Sequence, residues 1–217
     1  MSLPNGQENW HAQITDSARR MKVLVVYCHP VETSYNAAIH KVAVETLKRR
    51  GHEVEDVDLY AEGFNPVISR EERLVYHDLT KNQRGVEKYV AQLRRAEALV
   101  FVYPTWTYGF PAMLKGWFDR VWQAKVAFDV KDGVFQVHTM SHINRFAAIS
   151  SHGSPKLFID YIIGNPGRRV LSPGLELQLA PRSKFLWRAF YGVDSLPRPQ
   201  IEKDMQRFET ALTRFLR

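Results

Sequence analysis

Residues 28–36 read Cys-His-Pro-Val-Glu-Thr-Ser-Tyr-Asn and offer an imidazole at His29, hydroxyls at Thr33 and Ser34, and an amide at Asn36. A helical pattern comes directly after them. The unpaired amides and positive dipole end of a helix N-terminus favour an anion such as phosphate. Plain N-capping by Ser34 or Thr33 accounts for the same residues. Residues 104–111, Pro-Thr-Trp-Thr-Tyr-Gly-Phe-Pro, set the rings of Trp106 and Tyr108 on either side of the Thr107 hydroxyl. A flat, π-rich ligand stacks on such a pair while nearby amides bond to its edge; the alternative is that the rings serve the core or an interface. Residues 150–155, Ser-Ser-His-Gly-Ser-Pro, form a small polar turn that either closes over a ring system or only connects a strand to the next element.

Other chemistries have less to stand on. The chain contains no G-x-G-x-x-G and no G-x-x-x-x-G-K-[ST], so neither a classical dinucleotide fold nor a P-loop is indicated. Cys28 is the single cysteine and no Cys-X-X-Cys exists, which favours a buried inert thiol over a nucleophile. His138 and His142 are four apart, but no carboxylate or cysteine stands close enough to complete a metal site.

Each of the three segments comes after a run that predicts a buried strand. Val23–Tyr27 and Ala98–Tyr103 are apolar on both faces, as in a parallel sheet, and Arg145–Ser150 reads as a further strand. Val54, Val57 and Leu59 suggest another, with acids between them. Helical spacing marks 36–50, closed by Gly51, and recurs at Val86, Tyr89, Val90 and Leu93. Pro111 opens a helix carrying Met113, Leu114, Trp117, Phe118, Val121 and Trp122, more apolar surface than one sheet face needs, which points to a homodimer; Ile201 to Phe215 forms a closing helix. Alternating strands and helices predict an α/β fold: a doubly wound parallel sheet with helices on both faces. Ligands then bind beyond the carboxyl ends of the strands, where the three segments lie. Residues 1–20 read as an N-terminal tail and 21–217 as one domain; residues 165–200, rich in Pro, Gly and Arg, read as a surface wrap.

The 217 residues suffice for one α/β core. No apolar run approaches the ~20 residues of a membrane-spanning helix, so membrane insertion is not expected. The polar opening lacks a secretory pattern, and with one cysteine this fits a cytoplasmic location. A net charge of +7 attracts anionic nucleotides. Nucleic-acid binding is not expected, since the cations carry no recognised nucleic-acid motif.

Together the segments resemble the flavodoxin-like NAD(P)H:quinone oxidoreductases of the DT-diaphorase type. The match lies in His29-Pro30…Ser34-Tyr35-Asn36-Ala37-Ala38, in Asp58-Leu59-Tyr60…Phe64-Asn65-Pro66, and in Pro104…Gly109-Phe110-Pro111-Ala112-Met113-Leu114-Lys115-Gly116-Trp117-Phe118-Asp119-Arg120-Val121. It covers roughly residues 21–155; Gly164-Asn165-Pro166-Gly167-Arg168-Arg169 is similar to a stretch of some bacterial members.

The resemblance implies a flavin at the carboxyl edge of the sheet, FAD in preference to FMN because the first loop is closer to FAD-binding relatives. It assigns His29, Ser34, Tyr35 and Asn36 to the phosphates. Pro104, Thr105, Trp106, Thr107 and Tyr108 line the isoalloxazine ring, and Ser150, Ser151 and Gly153 meet its polar edge. It implies NADH or NADPH as hydride donor, a small quinone-like acceptor, ping-pong transfer through the flavin N5, and a homodimer with active sites at the interface. Phe158 and Gly164 fall where mammalian-type members carry a charge-relay Tyr and His, so relay by that pair is not expected. His152 stands where those members have Gly and is, with Tyr108, a candidate catalytic residue. Two rivals are a flavodoxin-like electron carrier, which the positive charge disfavours, and a regulatory flavoprotein subunit of a membrane transporter, which a basic C-terminal region allows.

Overall fold

The structure, a computed structural model, describes residues 19–78 and 80–217. Most of the expected N-terminal tail, residues 1–18, lies outside the described residues. The chain runs β1 (Lys22–Tyr27), α1 (Tyr35–Arg49), β2 (Glu53–Asp58), α2 (Arg70–Leu74), α3 (Glu87–Arg95), β3 (Ala98–Pro104) and α4 (Ala112–Val121). It continues through β4 (Asp129–Lys131), β5 (Val134–Gln136), β6 (Arg145–His152), α5 (Pro166–Arg169), β7 (Lys184–Tyr191) and α6 (Arg198–Phe215).

Five strands form one parallel sheet in the order β2-β1-β3-β6-β7. Apart from the small β4–β5 hairpin, this is the 2-1-3-4-5 order of flavodoxin-like folds, whose switch point falls between β1 and β3. The central strands are buried on both faces, which is why β1 and β3 lack polar alternation. One face packs Leu24, Val26, Leu99 and Phe101 against Val90 and Leu93 of α3 and Leu114 and Trp117 of α4. The other packs Val23, Val25, Val100 and Val102 against Ile39 and Leu47 of α1 and Phe208 and Leu212 of α6.

Three expectations need correction. Residues 165–200 are not a mere surface wrap: they contain β7, which pairs along all of β6 from Arg145↔Lys184 to His152↔Tyr191. An edge strand is half covered, so Arg188 can sit in it without breaking the core, and the apolar run is interrupted. Ser150, Ser151 and His152 belong to β6, so the turn begins only at Gly153. The apolar side chains of α4 are not surplus surface for a partner, because Leu114, Trp117, Phe118, Val121 and Trp122 are all buried within the chain.

α4 is locked to the loop after β2. A Cβ on Gly116 would overlap the backbone and ring of Pro66, so only glycine permits this approach. One turn later Arg120 donates to the Asn65 carbonyl and to the carboxylate of Glu72, which completes the capping box headed by Ser69. Burial works against the Glu72 charge, but the bonds from Ser69 and Arg120 prevail and hold its carboxyl below the usual range.

Candidate active site at the carboxyl edge of the sheet

The three chemistry-bearing segments meet at one edge of the sheet, joined by short hydrogen bonds. Asn36 Nδ2 donates to Ser151 Oγ at 2.7 Å, tying the start of α1 to the end of β6. The Thr105 amide donates to the Ser151 carbonyl at 2.7 Å, and Thr105 Oγ1 lies 2.7 Å from Ser150 Oγ and 3.4 Å from His152 Nε2. The His29 and Trp106 rings approach to 5.9 Å, which closes the triangle.

In the first loop Ser34 is the N-cap of α1, its Oγ accepting from the Ala37 amide at 3.1 Å. Capping and anion binding are compatible here, because the α1 first turn carries no acidic side chain to occupy the dipole's positive end. His29 Nδ1 accepts from the Val31 amide at 3.0 Å. That bond places a proton on Nε2, which leaves a donor on the outer side of the ring. The buried Asn36 keeps an unpartnered Oδ1. Tyr35 departs from the group: its ring packs edge-on to Phe190 at 5.5 Å among the core residues of the α1–α6 face. Only its backbone amide, not its phenol, is available to a phosphate.

The second segment is a tight turn. Trp106 and Gly109 exchange backbone hydrogen bonds of 3.2 and 3.0 Å, with Thr107 and Tyr108 between them at φ 47° and 62°. Two consecutive non-glycine residues in the left-handed region cost free energy, and such strain concentrates at functional sites. Trp106 and Tyr108 are 42% and 41% exposed, so they are not core residues. They border a cavity of about 690 Å³ lined also by Thr105, Thr107, His152, Gly153, Ser154, Ile159 and Asp194. Pro104 is buried at the end of β3 and supports the turn from below.

The third segment makes the floor. Ser150 and Ser151 are buried and bonded to Thr105 and Asn36, so they brace the site and do not line its cavity. His152 is 3% exposed, stacked on Tyr191 at 5.0 Å, with Nδ1 unpartnered. Burial lowers its pKa to about 4, against a smaller upward pull from Asp160, so the imidazole is neutral at neutral pH. A Cβ on Gly153 would overlap the Asp194 carboxylate, so glycine alone allows that close approach. Tyr191, Asp194 and Ile159 are site residues that the motifs in the sequence do not reveal. The one signal for them is the turn Gly192-Val193-Asp194-Ser195 after the aromatic-rich run 185–191, a fourth strand end of the same kind.

The resemblance to quinone oxidoreductases holds in comparison with known proteins. NAD(P)H dehydrogenase [quinone] 1 of Rattus norvegicus is 37% identical over 129 residues, covering 49% of this chain and 45% of the rat protein. The chain thus spans less than half the length of that relative. Human ribosyldihydronicotinamide dehydrogenase [quinone] is 28% identical over 169 residues, covering 70% of this chain and 72% of the human one. Among solved structures, Smu.1420 from Streptococcus mutans superposes with a TM-score of 0.76 at 27% identity, covering 89% of this chain and all of that one. Residues 21–173 match the family described as having the flavodoxin-like fold, with the sheet order and the carboxyl-edge site already described, and the chain belongs to that family.

Proposed function

We propose that this chain is a flavin-dependent NAD(P)H:quinone oxidoreductase working at the carboxyl edge of its sheet. The observation that carries it is the convergence of a helix N-terminus with no acid in its first turn, a strained aromatic turn and a glycine-floored cavity within one hydrogen-bonded network. These residues fit a flavin. The free Asn36 Oδ1, the His29 donor and the first amides of α1 suit the ribityl-phosphate end. The exposed turn 106–108 suits the ring.

A bound flavin would supply two-electron hydride chemistry between a nicotinamide and the acceptor, in ping-pong order. The protein's part is positional. The central amides of the Thr107–Tyr108 turn lie outside its own pair of hydrogen bonds and would donate to the polar edge of the ring. Gly153, packed against Asp194, would meet the polar edge of the ring through its backbone. His152, neutral and bonded to Thr105, acts as a hydrogen-bonding group and not as a cation. Trp106 and Tyr108 wall the face where donor and acceptor alternate. We take FAD as the flavin, a cytoplasmic setting, residues 21–217 as one domain, and a homodimer as the working unit. The dimer is supported by exposed Leu157, Tyr161 and Ile162 beside Phe158, whose ring is 6.0 Å from that of Tyr108.

The test is to purify the protein, identify its flavin by mass, and measure NAD(P)H oxidation with simple quinones. One flavin per chain and parallel double-reciprocal plots are expected. Tyr108→Ala is expected to lower turnover about a hundredfold while retaining flavin, since hydride transfer demands close approach. Protein that stays colourless with FAD and FMN refutes the proposal, as does a Tyr108→Ala variant that turns over normally once refilled.

A further inference from the structure

Beside the site just described, a second cavity of about 690 Å³ runs along the outer edge of β7. Its lining holds four cations, Lys156, Arg168, Arg169 and Arg188, against one carboxylate, Asp160. That carboxylate is already engaged by Lys156, by Asn165 Nδ2 at 3.0 Å and by Tyr191 Oη at 3.2 Å. Among the described residues no carboxylate lies within ion-pair distance of Arg168, Arg169 or Arg188. Arg188 Nε is buried there without an acceptor, and the Arg188 guanidinium carbon lies 5.4 Å from the Phe190 ring centre. Buried donors without partners are uncommon, and a groove whose four cations face one engaged carboxylate calls for an acceptor-rich ligand. A peptide strand laid on β7 would bring as many donors as acceptors and would leave the arginines unanswered. A second copy paired edge to edge would set these cations against each other.

The groove and the proposed active site share a wall. Tyr191 lines the groove while its ring stacks on His152, and Ile159 faces one cavity where the next residue, Asp160, faces the other. Gly164, at φ 77°, turns the chain there, and the Arg169 guanidinium lies in ordinary van der Waals contact with the place where a Cβ would stand, 3.7 Å away. A dinucleotide with its nicotinamide against Trp106 and Tyr108 must extend its adenosine half away from that cavity. The groove is the neighbouring cavity, across the wall formed by Tyr191 and residues 159–160.

We infer that the groove along β7 is a phosphate subsite for the adenosine half of the hydride donor, and that it favours the donor bearing the extra 2′-phosphate. This rests on the oxidoreductase reading for the identity of the nucleotide. A phosphomonoester is a dianion with three acceptor oxygens, and the guanidinium fork is suited to it.

The experiment is calorimetric titration of the purified protein with adenosine 2′,5′-bisphosphate, AMP and inorganic phosphate at fixed ionic strength. The bisphosphate is expected to bind about tenfold or more tighter than AMP. The double variant Arg168→Gln/Arg169→Gln and the single Arg188→Gln are each expected to weaken it by about tenfold or more. Arg182→Gln removes a charge outside the groove and is expected to leave binding unchanged. Circular dichroism and flavin content check that the variants are folded. In kinetics the KM ratio of NADPH to NADH is expected to rise about tenfold in the double variant. Failure of the bisphosphate to bind, unchanged binding in the arginine variants, or competition by inorganic phosphate equal to the bisphosphate overturns the assignment. If NADPH and NADH are oxidised equally well by parent and variants, the subsite is wrong while the oxidoreductase reading survives. If the bisphosphate binds through the arginines but neither nucleotide is oxidised, the anion subsite stands and the oxidoreductase reading falls.

Discussion

Cys28 and His152 are both buried, and burial moves their protons in opposite directions. The Cys28 thiol is pushed up to about 12 by desolvation, so it is expected to resist thiol-modifying reagents at pH 8 until the protein is unfolded. Stoichiometric labelling of the native protein would contradict this. For His152 the folded value is about 4 and the ordinary value 6.5. Between those values the unfolded chain binds a proton that the folded chain refuses. Stability therefore falls as pH drops through that window, by up to about 3 kcal/mol in all. His152→Gln is expected to flatten this part of the acid limb; urea midpoints measured from pH 7 to pH 4 check it, and an unchanged slope would sink the argument. At the first loop, Ser34→Ala and Asn36→Ala are each expected to weaken flavin binding by about 1–3 kcal/mol, read by equilibrium dialysis. Asn36, Trp106 and His152 stand out in the sequence because each lies just beyond an apolar run. Asp194 and Tyr191 do not, because their roles arise from contacts with Gly153 and His152, some forty residues earlier in the chain.

Elements differ in legibility for a physical reason. β1 and β3 are flanked by strands on both sides and by helices on both faces, so their sequences are uniformly apolar and easily read. β7 has one open edge, tolerates Lys184 and Arg188, and is hidden among prolines and glycines that belong to its neighbours. The periodicity of α4 marks it as a helix, but its apolar residues exceed what one sheet face alone can cover. In the structure they also fill the space beneath the 64–66 loop and the β4–β5 hairpin. Gly116 is where that fit is tightest. Gly116→Ala is expected to destabilise the fold by about 1–3 kcal/mol despite alanine's better helix propensity, because Pro66 and its backbone must move. A thermal midpoint equal to or above that of the parent would show that the loop yields freely.

At the scale of the molecule, no described helix is long and apolar enough to cross a membrane. The exposed apolar set Leu157, Tyr161 and Ile162, at 71–78% exposure, is the better-placed surface for self-association than α4. Ile162→Asp is expected to shift the mass in solution from dimer to monomer at micromolar concentration and to lower turnover with it. A parent that is already monomeric and fully active would remove the dimer from the mechanism. The order in which the chain supplies its site has a consequence for biosynthesis. The first loop is complete by residue 36 and the aromatic turn by residue 109, but the wall behind His152 waits for Tyr191, and Asp194 comes later still. A nascent chain stalled at residue 183 would expose the edge of β6 and hold an open-sided pocket. Cofactor loading is thus expected to come after release from the ribosome, and flavin retained by a stalled 183-residue chain as firmly as by the full one would reverse that order.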